Sequence, residues 1–212
     1  MQYFNTVDNL LFYKNPISFT KYTEKNILKY AIGANMYCPG TQTNLFEKLI
    51  HNKFQEVGAI TLCLEDAIAE SELENAEQNV IQILKNLYQQ IQIDSQLEKQ
   101  LPLLFIRVRS VEQFQNLSER LNKEELSVLT GFNFPKFNSY NGRKYFKILK
   151  YLSIKHNEVL YGMPILEDNM IIYKETRLEE LKRIQYIFNE FDQYLLNIRV
   201  GATDFSSLFG LR

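Results

Sequence analysis

The sequence has little of what marks several protein classes. It has two cysteines, Cys38 and Cys63, with no CxxC spacing, and no apolar run near the ~20 residues that a membrane-spanning helix needs. The formal net charge of −1 gives no basic footprint for nucleic acid or an anionic membrane. The N-terminus lacks the basic region and apolar core of a secretory signal. We therefore expect a cytoplasmic protein with free thiols and with no nucleic-acid or membrane partner.

Six short apolar segments have the composition of strands that are buried on both faces. Helical patterns separate them, and this alternation predicts the parallel βα units of an α/β protein of the TIM (β/α)8-barrel type. Because only six units fit, we expect a single incomplete barrel domain over residues 1–212, which further sequence or a partner chain would complete. It comprises an N-terminal helical or loop extension over 1–33 and βα units over 34–212. The predicted strands are 34–38, 59–64, 103–108, 129–134, 160–166 and 196–201.

The longest predicted helix begins at Ser71 and continues to about residue 91. Glu74 follows Ser71 at the spacing of a capping box, and an apolar stripe comes after it. The polar, glutamine-rich segment 89–100 is typical of a surface loop. The other predicted helices are 41–50, 110–121, 142–152 and 176–195, and the stripe is formed by Ala76, Val80, Ile83, Leu84 and Leu87.

Charged residues recur at the carboxyl ends of four predicted strands. A barrel places its active site at that end, in the loops that follow the strands. Burying a charged arginine against apolar helices would be unfavourable, so the Arg107 side chain should project toward the mouth of the barrel. The residues concerned are Glu65, Asp66, Arg107, Arg109, Glu167, Asp168 and Asp204.

The carboxylates of Glu167 and Asp204 suit a hard dication, Mg²⁺ or alternatively Mn²⁺. An adjacent Arg107 would neutralise a substrate carboxylate or an enolate by bidentate hydrogen bonding. Metal and arginine together would stabilise the charge that develops in an aldol cleavage. A purely structural cluster of ion pairs explains the same spacing, and the strand-end pattern alone does not choose between the two.

Six segments in order resemble motifs of the HpcH/HpaI aldolase and citrate lyase beta subunit superfamily. The similarity is greatest to its branch of C–C bond lyase-like TIM-barrel proteins associated with bacterial tellurite-resistance and stress gene clusters. Members of that branch continue beyond this point, which supports the expectation of an incomplete barrel. The segments are YCPGT (37–41), LCLEDAI (62–68), FIRVR (105–109), FPK (134–136), PILED (164–168) and VGATDFSSLFG (200–210).

The resemblance implies a Mg²⁺-dependent carbon–carbon lyase or aldolase that associates with copies of itself and acts on a small molecule. It implies metal binding by Glu167 and Asp204 and catalytic roles for Arg107, Glu65 and Asp66. The implied substrate is a hydroxyacyl-CoA thioester or another keto or hydroxy acid. The alternative is a barrel that binds metal or ligand within a stress-response complex without turnover. For the lyase, the resemblance implies that the substrate is bound by Arg107, Pro39, Gly40, Lys136, Gly201 and Ala202.

Several residues depart from the superfamily pattern around these positions. Cys63 stands where the first aspartate of the LDLED motif is expected, and Arg109 replaces an asparagine. Asp168 and Asn169 replace a threonine and a glycine, and Thr203 replaces an acid. The metal pair and Arg107 are kept, while the residues around the substrate differ.

Overall fold

The computed structural model describes residues 1, 12–54, 57–66 and 68–211. Residues 2–11 of the predicted N-terminal extension lie outside them. Six parallel strands, ordered as in the sequence and separated by helices, confirm the predicted βα architecture. The chain forms two compact units, Met1–Phe105 with Asn122–Thr130 and Ile106–Leu121 with Gly131–Arg212.

The first unit contains strands β1 and β2, which pair in parallel with Cys38 opposite Leu62 and Pro39 opposite Cys63. The start of β3 lies beside the start of β2, since the Leu103 N–H donates to the Gly58 carbonyl at 2.9 Å. Every residue of β2 is buried. The elements are α1 (Lys25–Ala31), β1 (Asn35–Pro39), α2 (Leu45–Ile50), β2 (Ala59–Cys63), α3 (Leu73–Ile93), α4 (Gln96–Gln100), the first three residues of β3 (Leu103–Arg107) and α6 (Lys123–Val128).

The second unit contains the end of β3 and strands β4 to β6. Strand β5 pairs in parallel with β4 on one side and β6 on the other. Its core is aromatic, with Phe134 stacked on Tyr145 at 4.7 Å between ring centroids. The remaining elements are α5 (Val111–Arg120), β4 (Gly131–Phe134), α7 (Gly142–His156), β5 (Tyr161–Leu166), α8 (Asn169–Ile172), α9 (Lys174–Glu190), β6 (Arg199–Val200) and α10 (Ala202–Ser207).

Several local predictions need correction. Ser71 does not cap α3, because a 3-10 helix over Glu70–Glu72 precedes it and α3 begins at Leu73 without a side-chain cap. The capping box is instead at α6, formed by Asn122 and Glu125. Segment 89–100 is largely helical, because α3 extends to Ile93 and α4 follows with Leu97 buried.

Strand β6 is shorter than predicted, with only Arg199 and Val200 in regular pairing. Leu195 makes an isolated parallel bridge to Gly162, and the chain rejoins the sheet only at Arg199. The apolar stripe of α3 is confirmed, since all five of its residues are buried. In the described part of the chain, no helix has both the length and the hydropathy that crossing a bilayer requires.

Cys38 and Cys63 are free and buried, as predicted. Burial raises the pKa of the Cys38 thiol, and nearby Lys48 opposes that shift only in part. Because both thiols are buried away from the reagent, we expect both cysteines to react slowly with a disulfide reagent at neutral pH and rapidly after denaturation. Thiol titration with and without guanidinium measures this. Fast labelling of the native protein would contradict it.

Candidate functional site

The carboxyl ends of β1 and β2 carry four of the predicted site residues in the first unit. Pro39 ends β1, and the Gly40 N–H donates to the Cys63 carbonyl at 2.8 Å. A Cβ on Gly40 would lie 3.0 Å from that same oxygen, so glycine permits the close approach of the segments that follow β1 and β2. Glu65 is buried and Asp66 is exposed, directly after β2. These four residues therefore lie at, or within three residues of, the ends of two adjacent strands.

In the second unit, the structure brings Arg107 and Glu167 together. Arg107 ends β3 and Glu167 follows β5, and their Nη2 and Oε1 atoms are 3.4 Å apart. The side chains are only 9% and 2% exposed. At this depth the attraction between the two charges is weakly screened by water. The predicted arginine and the predicted metal-binding glutamate thus form a buried ion pair.

Lys136 contacts the same carboxylate through its backbone. Its N–H donates to Glu167 Oε1 at 2.8 Å, and its φ of 47° places it in the left-handed region. The Lys136 carbonyl accepts a hydrogen bond from Asn141 Nδ2 at 2.9 Å, which supports this turn. The lysine side chain is exposed. The FPK motif predicted that Lys136 binds substrate, but it gave no sign that the backbone makes this contact.

The second oxygen of Glu167 lies against Gly201. A Cβ on Gly201 would be 2.2 Å from Glu167 Oε2 and 2.6 Å from Glu167 Cβ, so any side chain there would displace the carboxylate. The Gly201 N–H donates to the Leu166 carbonyl at 3.1 Å, which fixes it beside the end of β5. Ala202 begins α10, and Asp204 lies in the first turn of that helix.

The donor type of two residues here suits a hard dication. Glu167 and Asp204 carry carboxylates just after consecutive strands, β5 and β6, and carboxylate oxygen is the ligand that Mg²⁺ prefers. Across the described ranges, no group of three or more His, Cys, Asp or Glu side chains could hold a metal ion. Two carboxylates, with water and substrate oxygens for the remaining positions, are a common arrangement for Mg²⁺.

Asp168 has a different role from its neighbour Glu167. Its Oδ1 accepts a hydrogen bond from the Met170 N–H at 2.9 Å and caps α8, while its Oδ2 accepts one from Asn138 Nδ2 at 3.0 Å. Arg109 lies in the loop after β3, where its N–H donates to Gln113 Oε1 at 3.0 Å. The Asp168 side chain therefore helps to shape the loop after β5, whereas the contact at Arg109 is made by the backbone and does not depend on the side chain.

Comparison with known proteins identifies a matching family. The C–C bond lyase family of the TIM-barrel fold matches residues 26–212. The chain belongs to this family. Its fold class is therefore the TIM-barrel type, and its family is one of lyase-type enzymes. No curated protein sequence matched it.

Solved structures resemble this C–C bond lyase family member in fold. Haloferax volcanii malate synthase in its magnesium/glyoxylate complex has a TM-score of 0.65 and 12% identity over 90% of the chain. Its pyruvate/acetyl-CoA ternary complex gives a TM-score of 0.55 and 14% identity over 84%. RipC from Yersinia pestis gives 0.52 and 17% over 87%. The chain covers 56%, 50% and 64% of these proteins respectively, so it spans between half and two thirds of their length.

Proposed function

We propose that this chain belongs to a Mg²⁺-dependent carbon–carbon lyase or aldolase that acts on a hydroxyacyl-CoA or on a keto or hydroxy acid. The observation that carries the proposal is the buried Glu167 carboxylate, which Arg107 and the Lys136 N–H hold by one oxygen while the other oxygen packs against Gly201 near the strand end that leads to Asp204. Haloferax volcanii malate synthase, which shares the fold, forms complexes with magnesium and glyoxylate and with pyruvate and acetyl-CoA. These complexes support the choice of metal and of a thioester substrate.

In this proposal Glu167 and Asp204 hold the metal, with Mn²⁺ as a substitute. A bound dication would polarise a substrate carbonyl and stabilise the negative charge that develops as the carbon–carbon bond breaks. Arg107 orients Glu167, and it offers positive charge to a substrate carboxylate or enolate oxygen. The exposed ammonium of Lys136 favours an anionic group nearby.

The resemblance alone assigns the remaining roles. We propose that Glu65 and Asp66 take part in catalysis and that Pro39, Gly40, Gly201 and Ala202 border the substrate. We also propose that the protein works in the cytoplasm as a homo-oligomer.

Metal titration by calorimetry tests the site directly. We expect saturable Mg²⁺ binding by the wild type and no measurable binding by Glu167→Gln or Asp204→Asn, because each variant removes one anionic ligand. Asp168→Asn is the matched control, since it removes the same charge next to Glu167 and leaves a residue that caps helices well. It should bind Mg²⁺ as the wild type does. A folded wild type that binds no Mg²⁺ would contradict the metal-dependent mechanism.

A second function is favoured by the altered residues Cys63, Arg109, Asp168 and Thr203. They suit a barrel that binds metal or ligand as a component of a tellurite-resistance-type stress complex without turnover. This function predicts Mg²⁺ binding with no cleavage of any hydroxyacyl-CoA or keto acid. Cleavage of any such substrate that is lost in Arg107→Met would favour the lyase.

A further inference from the structure

Helix α9 contains one glutamate that differs from the others. Glu180 is 1% exposed, whereas Glu175, Glu179 and Glu190 on the same helix are exposed. A buried carboxylate needs hydrogen-bond donors to compensate for its lost hydration. Glu180 therefore has a specific partner inside the second unit.

That partner is a single residue of the loop between β4 and α7. The Ser139 N–H donates to Glu180 Oε1 at 2.6 Å, and the Ser139 hydroxyl donates to Glu180 Oε2 at 2.8 Å. Both oxygens of the carboxylate thus accept hydrogen bonds from the same loop residue. Hydrogen bonds to an ionised group are the stronger class, so this contact is a firm anchor between α9 and the loop.

The anchored loop is stiffened internally. Asn138 Oδ1 accepts hydrogen bonds from the Tyr140 and Asn141 N–H groups at 3.0 and 3.1 Å. Asn141 Oδ1 in turn accepts one from the Asn138 N–H at 3.0 Å. The same loop begins with Lys136, whose N–H donates to Glu167. Ser139 and Lys136 therefore belong to one hydrogen-bonded loop, which contacts Glu180 at Ser139 and Glu167 at Lys136.

We propose that Glu180 is a positioning residue for Glu167. Through Ser139 it holds the loop so that the left-handed Lys136 turn presents its N–H to Glu167 Oε1. This assignment rests on the proposed function only in taking Glu167 as a metal ligand. The alternative is that Glu180 merely fastens α9 to the loop, with no consequence at Lys136.

Amide hydrogen exchange, measured by NMR on the full chain, separates these two cases. In Glu180→Met, which fills a similar volume without acceptors, we expect the Lys136 N–H to exchange about tenfold faster or more, since hydrogen bonds to charged groups of this strength are lost. Glu180→Gln is the conservative rescue. Its carbonyl can accept from the Ser139 N–H and its amide can donate to the Ser139 hydroxyl, so exchange should stay near the wild-type rate.

Two further variants guard against general destabilisation. Ser139→Ala removes one of the two hydrogen bonds without leaving the backbone N–H unpartnered, and it should raise Lys136 exchange by a smaller factor than Glu180→Met. Arg143→Gln breaks the exposed 2.8 Å ion pair between Arg143 of α7 and Glu190 of α9, and it should leave Lys136 exchange unchanged. Core amides of β4 and β5 serve as the internal reference.

The outcomes are distinct. Faster exchange at Ser139 and Tyr140 with an unchanged rate at Lys136 would overturn the positioning role. In calorimetry, Glu180→Met should bind Mg²⁺ on the order of tenfold more weakly, as is typical when a residue that orients a metal ligand is lost. If the wild type bound no Mg²⁺, the proposed function would fail, whereas the exchange data would still decide whether Glu180 sets the contact at Glu167.

Discussion

Replacing Arg107 with methionine is expected to destabilise the protein by about 3–5 kcal/mol, because it leaves the buried Glu167 carboxylate without its cationic partner. The Lys136 N–H would still contact Glu167 Oε1, but a dipole does not replace a full charge at a site that is 2% exposed. Urea unfolding followed by circular dichroism gives the free energy of unfolding. The same variant should lose carbon–carbon bond cleavage if Arg107 binds substrate.

A second arginine in the same unit supplies the control. Arg143 pairs with Glu190 at 2.8 Å, but the two side chains are 48% and 43% exposed. Water screens this pair, so Arg143→Gln should lower the free energy of unfolding by no more than about 1 kcal/mol. The double variant Arg107→Met/Glu167→Gln should be more stable than Arg107→Met alone. If both substitutions lowered the free energy of unfolding equally, the buried pair would contribute no more to stability than the exposed pair.

Gly201→Ala should also have a large effect for its size. The added methyl would lie 2.2 Å from Glu167 Oε2 and 2.6 Å from Glu167 Cβ, which is far inside van der Waals contact. Glu167 must move, and we expect a loss of stability of about 1–3 kcal/mol, as is typical of overpacking. Because Oε2 faces Gly201, Mg²⁺ affinity should fall as well. Chemical unfolding and calorimetry on the same sample measure both effects.

Ala202→Ser is the matched substitution for this test. It adds one heavy atom at the next residue, which is exposed, and should change the free energy of unfolding by less than about 0.5 kcal/mol. If Gly201→Ala proved as mild as Ala202→Ser, the close approach of Gly201 to Glu167 would not be a constraint on the folded protein.

Much of the fold could be predicted from hydrophobic patterning. Strands such as Ala59–Cys63 and Leu103–Arg107 are buried on both faces, so they appear in the sequence as continuous apolar runs. The errors occurred where tertiary contacts override local signals. Ser71 has the spacing of a capping box, but a 3-10 turn precedes α3. Segment 89–100 is polar, yet Leu97 packs inside and holds a short helix.

The candidate site was predictable where charge alone marked it. Charge at the ends of β3 and β5 predicted that Arg107 and Glu167 lie at one end of the sheet, and the structure places them 3.4 Å apart, which suits both the metal site and the ion-pair alternative. Glu180 gave no such signal, because one acid among several on a polar helix looks exposed in sequence. The Lys136 N–H was equally hidden, since backbone direction depends on φ and every residue carries the same amide.

At Lys136, in its left-handed turn, the contribution of the backbone N–H can be considered apart from that of the side chain. Its amide holds Glu167, and asparagine or glycine would present the same N–H with less strain at a φ of 47°. Lysine is therefore less favourable than asparagine or glycine in this backbone conformation. The contact with Glu167 therefore does not itself require a lysine, and any requirement for lysine at this position concerns its exposed side chain.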